Sequence, residues 1–303
     1  INSLQNAIDD IASRKPDSAA AVAVDGASII GGGNVVRGKF DTGNWSGELY
    51  SYTISSAGVV SLHPTWGAHD LLDARGYSTR IAVTYNGTVG IPFEFPADYT
   101  NDTNFGTTEI SQEQLNDLMV NAPYSVTTTD PDQILANQAF GEELVAYLKG
   151  DSSNEGRTVG KLRVRDGHKL GDIVHSSPTY VGDPNPTRFY DPSYQAWANN
   201  TVSTGGAKGR QEVIYVGAND GGLHAFDATT GEELFVYFPK AVFNDEPRWG
   251  LHYLAERGYE HRYYVDGEIT VAEVYADIDG NGLRWRTILL SLIHISEPTR
   301  PLH

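Results

Sequence analysis

The chain contains no cysteine. That single absence removes disulfides, thiolate nucleophiles, iron–sulfur clusters and cysteine-type zinc sites together. It leaves the redox compartment open, because a cysteine-free chain suits either setting. Long apolar runs are also missing: no stretch approaches the roughly 18 residues that a membrane-spanning helix needs. Basic residues are scarce, with 22 Lys and Arg against 39 Asp and Glu, a net charge of −17. Nucleic-acid binding is disfavoured on that ground, since each phosphate contact needs a cation. An acidic chain repels acidic ligands and tolerates divalent cations. The sequence opens at Ile1 and reads as an internal fragment: it contains no charged segment followed by an apolar stretch, which is a different matter from the whole protein having no signal peptide.

What is present is enough for a real core. Apolar residues make up 40 % of the 303, including 17 Tyr, 10 Phe and 5 Trp. The 32 glycines exceed the ordinary share of about 7 % and point to many tight turns. Leu4, Ala7, Ile8 and Ile11 recur at helical spacing, which predicts a helix over Asn2 to Arg14, stopped by Lys15-Pro16. Short β signals follow at Ala20–Val24, Val35–Phe40, Leu49–Ile54, Val59–Leu62, Arg80–Tyr85 and Ile91–Phe95, with Asn86-Gly87 as a hairpin turn.

Helices interrupt the middle of the chain. Ser111 and Gln114 form a capping-box pattern ahead of Leu115 and Leu118. Asp130, Pro131 and Gln133 open a second helix, which ends at Gly150. β character returns at Ile173–Val181, Val213–Gly217, Leu223–Asp227, Glu232–Phe238, Tyr263–Asp266, Ile269–Tyr275 and Arg286–Leu289. Pro184–Gly209 reads as a long surface excursion between two of these strands.

The stretch VIYVGANDGGLHAFDATTGEELFVYF, Val213 to Phe238, is decisive for architecture. Asn219-Asp220-Gly221-Gly222 can close one hairpin. In the next turn the Asp227 carboxylate can accept backbone N–H groups while Gly231 takes the left-handed position. A three-strand meander of this kind is most of one propeller blade. The stretch resembles the quinoprotein-type blade repeat, with Phe235 where that repeat carries Trp.

The flanks narrow the resemblance. Val145-Ala146-Tyr147-Leu148-Lys149-Gly150-Asp151, then Leu170-Gly171-Asp172-Ile173-Val174-His175-Ser176-Ser177-Pro178, precede the blade. His261-Arg262-Tyr263-Tyr264-Val265-Asp266-Gly267 follows it, and Phe40-Asp41 with Trp45-Ser46-Gly47-Glu48-Leu49 lies near the start. In this order they resemble the C-terminal β-propeller domain of the PilY/PilC family of type IV pilus assembly and tip-adhesin proteins. The resemblance covers about Ala20 to Leu289. It implies an all-β, quinoprotein-like modified β-propeller, incomplete in this chain, carrying a helical insertion at about 111–150. It assigns residues 1–19 to the terminal helix of a preceding, von Willebrand A-like domain. It further implies an exported, non-enzymatic bacterial protein at the cell surface, outer membrane or pilus. Its partners are then pilins or minor pilins, with a host or surface ligand besides, and its work is to support assembly against retraction.

Residues 290–303 form a third segment. Leu290 to Arg300, LSLIHISEPTR, resemble the translation of a sequencing adapter, so this tail is expected to be non-native.

Candidate chemistry is sparse. Asp277, Asp279 and Asn281, with Gly282 at the sixth position, match the start of a calcium loop of hard oxygen donors. Its twelfth position is Ile288 and not a bidentate Glu, so a full EF-hand is excluded; the other reading is a plain hairpin turn closed by Asn281-Gly282. His168, His175, His224, His252 and His261 offer no zinc-type helical pair. His175 beside Ser176-Ser177 lacks the G-x-S-x-G elbow of a nucleophilic serine, and Asp172 and Asp266 read as turn-fixing residues. Asn44-Trp45-Ser46 and Asn86-Gly87-Thr88 match the glycosylation acceptor pattern and read as turns. The competing function is a pyrroloquinoline-quinone dehydrogenase, which shares the blade repeat. Only one clear repeat, a replaced docking Trp and no Cys pair to stack on the quinone weigh against it.

Overall fold

The computed structural model describes residues 21–24 and 33–291. The expected helix over Asn2 to Arg14 and the residues from 292 onward lie outside them.

Three sheets carry the fold. The first is an antiparallel meander of β1 (Ala21–Val24), β2 (Gly33–Asp41), β3 (Ser46–Ile54) and the short β4 (Trp66–Gly67). Asp41 and Asn44 close its main hairpin by accepting the N–H groups of Gly43 and Ser46.

The second sheet has the order β6-β5-β10-β9-β8-β7. Its strands are β5 (Ala82–Tyr85), β6 (Gly90–Pro92), β7 (Thr179–Val181), β8 (Val213–Gly217), β9 (Leu223–Asp227) and β10 (Glu233–Phe238). Strands β7 to β10 run antiparallel in chain order, the arrangement of a four-stranded blade. The β5–β6 hairpin is added at its edge by a parallel pairing, Val236 opposite Ala82 and Phe238 opposite Thr84.

The turns behave as their sequences dictate. Asp227 Oδ1 accepts the N–H groups of Thr229 and Thr230, and Gly231 sits at φ +77°.

Period-two alternation gives the blade two buried faces. Ile214, Val216 and Phe226 pack with Leu49, Trp66 and Ile173 on one side. Leu223, Val236 and Phe238 pack with Phe93, Leu118 and Leu144 on the other.

That second side is covered by helices. After α1 (Ala68–Ala74), α2 (Gln112–Leu118) starts with the anticipated capping box between Ser111 and Gln114. Helix α3 (Pro131–Leu148) starts with Asp130 accepting the N–H groups of Asp132 and Gln133, and it ends before Gly150 at φ +107°.

Three sequence expectations need correction. Val59–Leu62 makes only an isolated bridge, Val60 to Ile54, because Val59 and Leu62 face solvent. The strand expected over Ile173–Val181 is reduced to Thr179–Val181, since Val174 and His175 spend their N–H groups on Asp266. Tyr263–Asp266 forms no strand; the Tyr264 N–H goes to Asn219 Oδ1 instead of a neighbouring chain.

The excursion Pro184–Gly209 contains an unanticipated helix, α4 (Pro192–Asn199), capped by Asp191. A short α5 (Gly250–Tyr253) follows the blade. The third sheet is the hairpin β11 (Ile269–Ala276) and β12 (Arg284–Ser291), so the last strand runs past Leu289 through Leu290 and Ser291.

Candidate functional site

The blade's most charged feature is buried at its centre. Arg80, just ahead of β5, sends Nε and Nη2 to the Glu233 carboxylate at 2.7 and 2.8 Å. His224 on β9 faces Glu233 Oε1 through Nδ1 at 2.8 Å and Asp220 Oδ1 through Nε2 at 3.1 Å. Arg80, His224 and Glu233 are all buried. Burial alone pulls His224 down, but Asp220 and Glu233 outweigh it and hold the imidazole at about 9. Burial likewise opposes the Glu233 charge, yet Arg80 and His224 keep its carboxyl at about 2. Two cations then meet two anions, and the charge balances. This is a lock between the β5 segment and the blade, with every head group occupied.

A second seam joins the first sheet to the blade. The Gly47 N–H donates to Leu170 O at 2.9 Å, and the Asn219 N–H donates to Asp172 O at 3.0 Å. At Gly171 the backbones approach so closely that a Cβ would stand 2.3 Å from the Asp220 nitrogen. Asp172 Oδ2 accepts from Asn219 Nδ2 at 2.7 Å and faces His261 Nε2 at 2.8 Å. Trp45, at φ +57°, stacks on His261 with ring centres 3.7 Å apart. The small pocket beside them has about 30 Å³ of free volume, room for a water.

All five histidines singled out from the sequence face carboxylates. Besides His224 and His261, His168 meets Asp73, His175 meets Asp266 and His252 meets Asp117. Sequence reasoning placed Asp172 and Asp266 in turns. In the structure they clamp separate segments, Asp266 through the N–H groups of Val174 and His175 some 90 residues away. Ser176 Oγ accepts the Gly217 N–H at 2.8 Å, so it anchors a strand end.

The ring at the blade's second turn comes from elsewhere in the chain. Trp66 lies against Gly231, where a Cβ would sit 2.6 Å from Cδ2, and its Nε1 donates to Ala228 O at 3.3 Å. No local signal could have paired them.

The calcium-loop residues occupy an exposed turn between β11 and β12. Asp277 and Asp279 are exposed, with Asn281 two positions on. Asp279 Oδ2 is held by Arg286 Nη2 at 2.6 Å and by Arg284. These cations, with the Asn281 amide, overcome what desolvation there is and keep Asp279 at about 2. A cation bound here must displace two guanidinium groups. Among the described residues, no three His, Asp or Glu side chains converge as a metal cluster. Among the same residues, no helix is long and apolar enough to cross a membrane.

Residues 170–296 match the family model for the PilY1 beta-propeller domain. A type IV pilus biogenesis factor PilY1 homolog of Xylella fastidiosa (strain Temecula1) is 30 % identical over 296 residues, covering 97 % of this chain and 20 % of that protein. The type IV pilus biogenesis factor PilY1 of Pseudomonas aeruginosa strain PAK is 32 % identical over 255 residues, covering 82 % of this chain and 19 % of that one. The chain thus spans about a fifth of the length of these relatives. No solved structure matches it significantly. The clamped blade lies within the matched segment, and with relatives aligned along most of its length this chain belongs to the PilY1 family.

Proposed function

We propose that this chain is a propeller segment of a type IV pilus biogenesis factor, a non-enzymatic scaffold that supports pilus assembly against retraction and contributes to surface attachment. The observation that carries the reading is the match of residues 170–296, blade included, to the PilY1 propeller domain. The four antiparallel strands β7 to β10 and the Asp227–Gly231 turn support a quinoprotein-like blade, with Trp66 serving where the repeat's own Trp is replaced by Phe235. In this reading the ring is incomplete in the present chain. Its partners are pilins or minor pilins, and its place is outside the inner membrane, on the surface or the pilus. The occupied ionic groups of the blade favour a rigid scaffold over a catalytic site.

Deleting the gene should abolish sheared surface pilin and twitching, and restoring the full-length gene should return both. Unchanged pili in the deletion strain would overturn the proposal. Dye-linked alcohol oxidation by the full-length protein supplied with pyrroloquinoline quinone and calcium would replace it with the dehydrogenase reading.

A calcium ion at Asp277, Asp279 and Asn281 is a separate proposal, and it requires Arg284 and Arg286 to release Asp279. Calorimetric heat that Asp279→Ala removes supports it. The absence of heat from the unmutated chain rejects it.

A further inference from the structure

Two Asn-Gly dipeptides occur in the chain, Asn86-Gly87 and Asn281-Gly282. Both lie in hairpin turns, the first between β5 and β6 and the second between β11 and β12. The dipeptide has a chemistry of its own. The asparagine carboxamide carbon is within reach of the next backbone nitrogen, and glycine has no Cβ to hinder their approach. Whether the two atoms meet depends on how the turn holds the side chain.

Asn86 is held on every side. It is 2 % exposed. Its Oδ1 accepts the N–H groups of Thr88 and Val89, both at 2.9 Å. Its Nδ2 donates to Glu109 O at 2.9 Å and to Thr107 O at 3.3 Å. Lys240 crowds Gly87, where a Cβ would stand 3.1 Å from Nζ. The carboxamide must break all four bonds before it can turn towards the Gly87 nitrogen.

Asn281 is held by far less. The pair Ala276 and Arg284 closes the hairpin, which leaves residues 277–283 as its turn. Asn281 is exposed there, and Gly280 and Gly282 flank it at φ +73° and +95°. A Cβ on either glycine would meet no atom within 4 Å, so this turn stands clear of other elements. The Asn281 amide bonds within its own turn, Nδ2 donating to Asp279 O at 3.3 Å.

We propose that Asn281 is a site of spontaneous deamidation, and that its conversion to aspartate and isoaspartate rewrites the charge and backbone of the β11–β12 turn while Asn86 stays intact. A solvent base takes the proton of the Gly282 nitrogen, which attacks Asn281 Cγ. The new bond closes a succinimide ring. The Cγ–Nδ2 bond breaks, and Nδ2 takes a proton from solvent and leaves as ammonia. Water then opens the ring. Attack at Cγ restores the backbone and gives aspartate, whereas attack at the main-chain carbonyl carbon gives isoaspartate, with one methylene added to the chain path. Either product places a new negative charge beside Asp279, the carboxylate that Arg284 and Arg286 hold. The inference is independent of the pilus reading.

The test is timed incubation of the full chain in buffer, followed by peptide mapping with mass spectrometry. Labelling by an isoaspartyl methyltransferase gives a second readout. The Asn281 peptide should gain the mass of an amide-to-acid exchange and accept the methyl label. Its conversion should outpace that of Asn86 by about tenfold or more, because Asn86 reacts only after its hydrogen bonds open. In denaturant, where both turns are lost, the two rates should converge. Asn281→Gln should remove the label, since glutamine must close a larger, slower-forming ring. An Asn281 that stays intact through the incubation overturns the proposal. So does a ratio between the two sites that unfolding leaves unchanged, since the turns would then decide nothing.

Discussion

Strands β8 to β10 and the hairpin β11–β12 are both antiparallel, yet they sit in different environments. In the blade, Ile214, Val216, Ala225, Phe226 and Val236 are within 2 % of complete burial. Along the hairpin only Ile269 is buried, while Tyr275, Leu283 and Leu290 are exposed. The hairpin's outer edges have no strand partner among the described residues. It is steadied mainly from one side, where Trp285 packs on Phe189 and Tyr194 and donates to Ser193 Oγ at 2.9 Å. Placement of charge follows the same division. The blade hides its ions in a closed cluster, whereas the hairpin sets Asp279 and Arg284 in solvent, with Arg286 partly buried beneath them. Strand pairing is common to both; the blade adds two covered faces and a satisfied ionic lock, and on that ground is expected to be the more stable unit.

The comparison can be broken most forcefully at Glu233. Glu233→Gln leaves Arg80 buried without its anion and His224 with Asp220 alone, and removing one partner of a buried pair costs about 3–5 kcal/mol. Denaturant unfolding of the chain should show that loss. A midpoint unchanged from the parent would mean that the cluster contributes nothing.

Trp66→Ala comes next. It empties the space against Gly231, and truncating a buried aromatic costs about 3 kcal/mol or more, read as a lower melting temperature.

The third effect is a pH dependence confined to the blade. His224 is raised from 6.5 to about 9, so its contribution is complete below 6.5 and is lost as the pH climbs through 9. Glu233 is lowered from 4.5 to about 2, so its contribution is complete above 4.5 and is lost as the pH falls through 2. Thermal melts should therefore be highest between about 4.5 and 6.5 and decline above it, and His224→Gln should flatten the alkaline decline.

The smallest effect belongs to the hairpin. Asp279→Ala should leave the global unfolding midpoint unmoved, because exposed ion pairs contribute little. Backbone amides of β11 and β12 should exchange with deuterium well before those of β8 to β10.

Legibility in the sequence followed the range of the interactions. Ser111 with Gln114, Asp130 with Gln133, and Asp227 with Gly231 each act within a few residues, and each was readable. Asp191-Pro192 carries the same signal as Asp130-Pro131 and could have revealed α4 inside the excursion. The rest depends on distant partners. Arg80 and Glu233 are 153 residues apart, and Trp66 finds Ala228 across 162. The parallel pairing of β5 with β10 has no hairpin to announce it. Histidine spacing pointed away from a helical zinc motif, but each imidazole's carboxylate partner lay in another element or across a turn. His252 is the clearest case, since Asp117 is 135 residues upstream.

The most direct test of the account places the blade lesion in the full-length protein in its own bacterium. Glu233→Gln should reduce sheared surface pilin to the level of the gene deletion, while Asp279→Ala should leave it near that of the parent. Normal surface pilin in the Glu233→Gln strain, with the blade shown to be destabilised, would contradict the claim that this propeller segment supports pilus assembly.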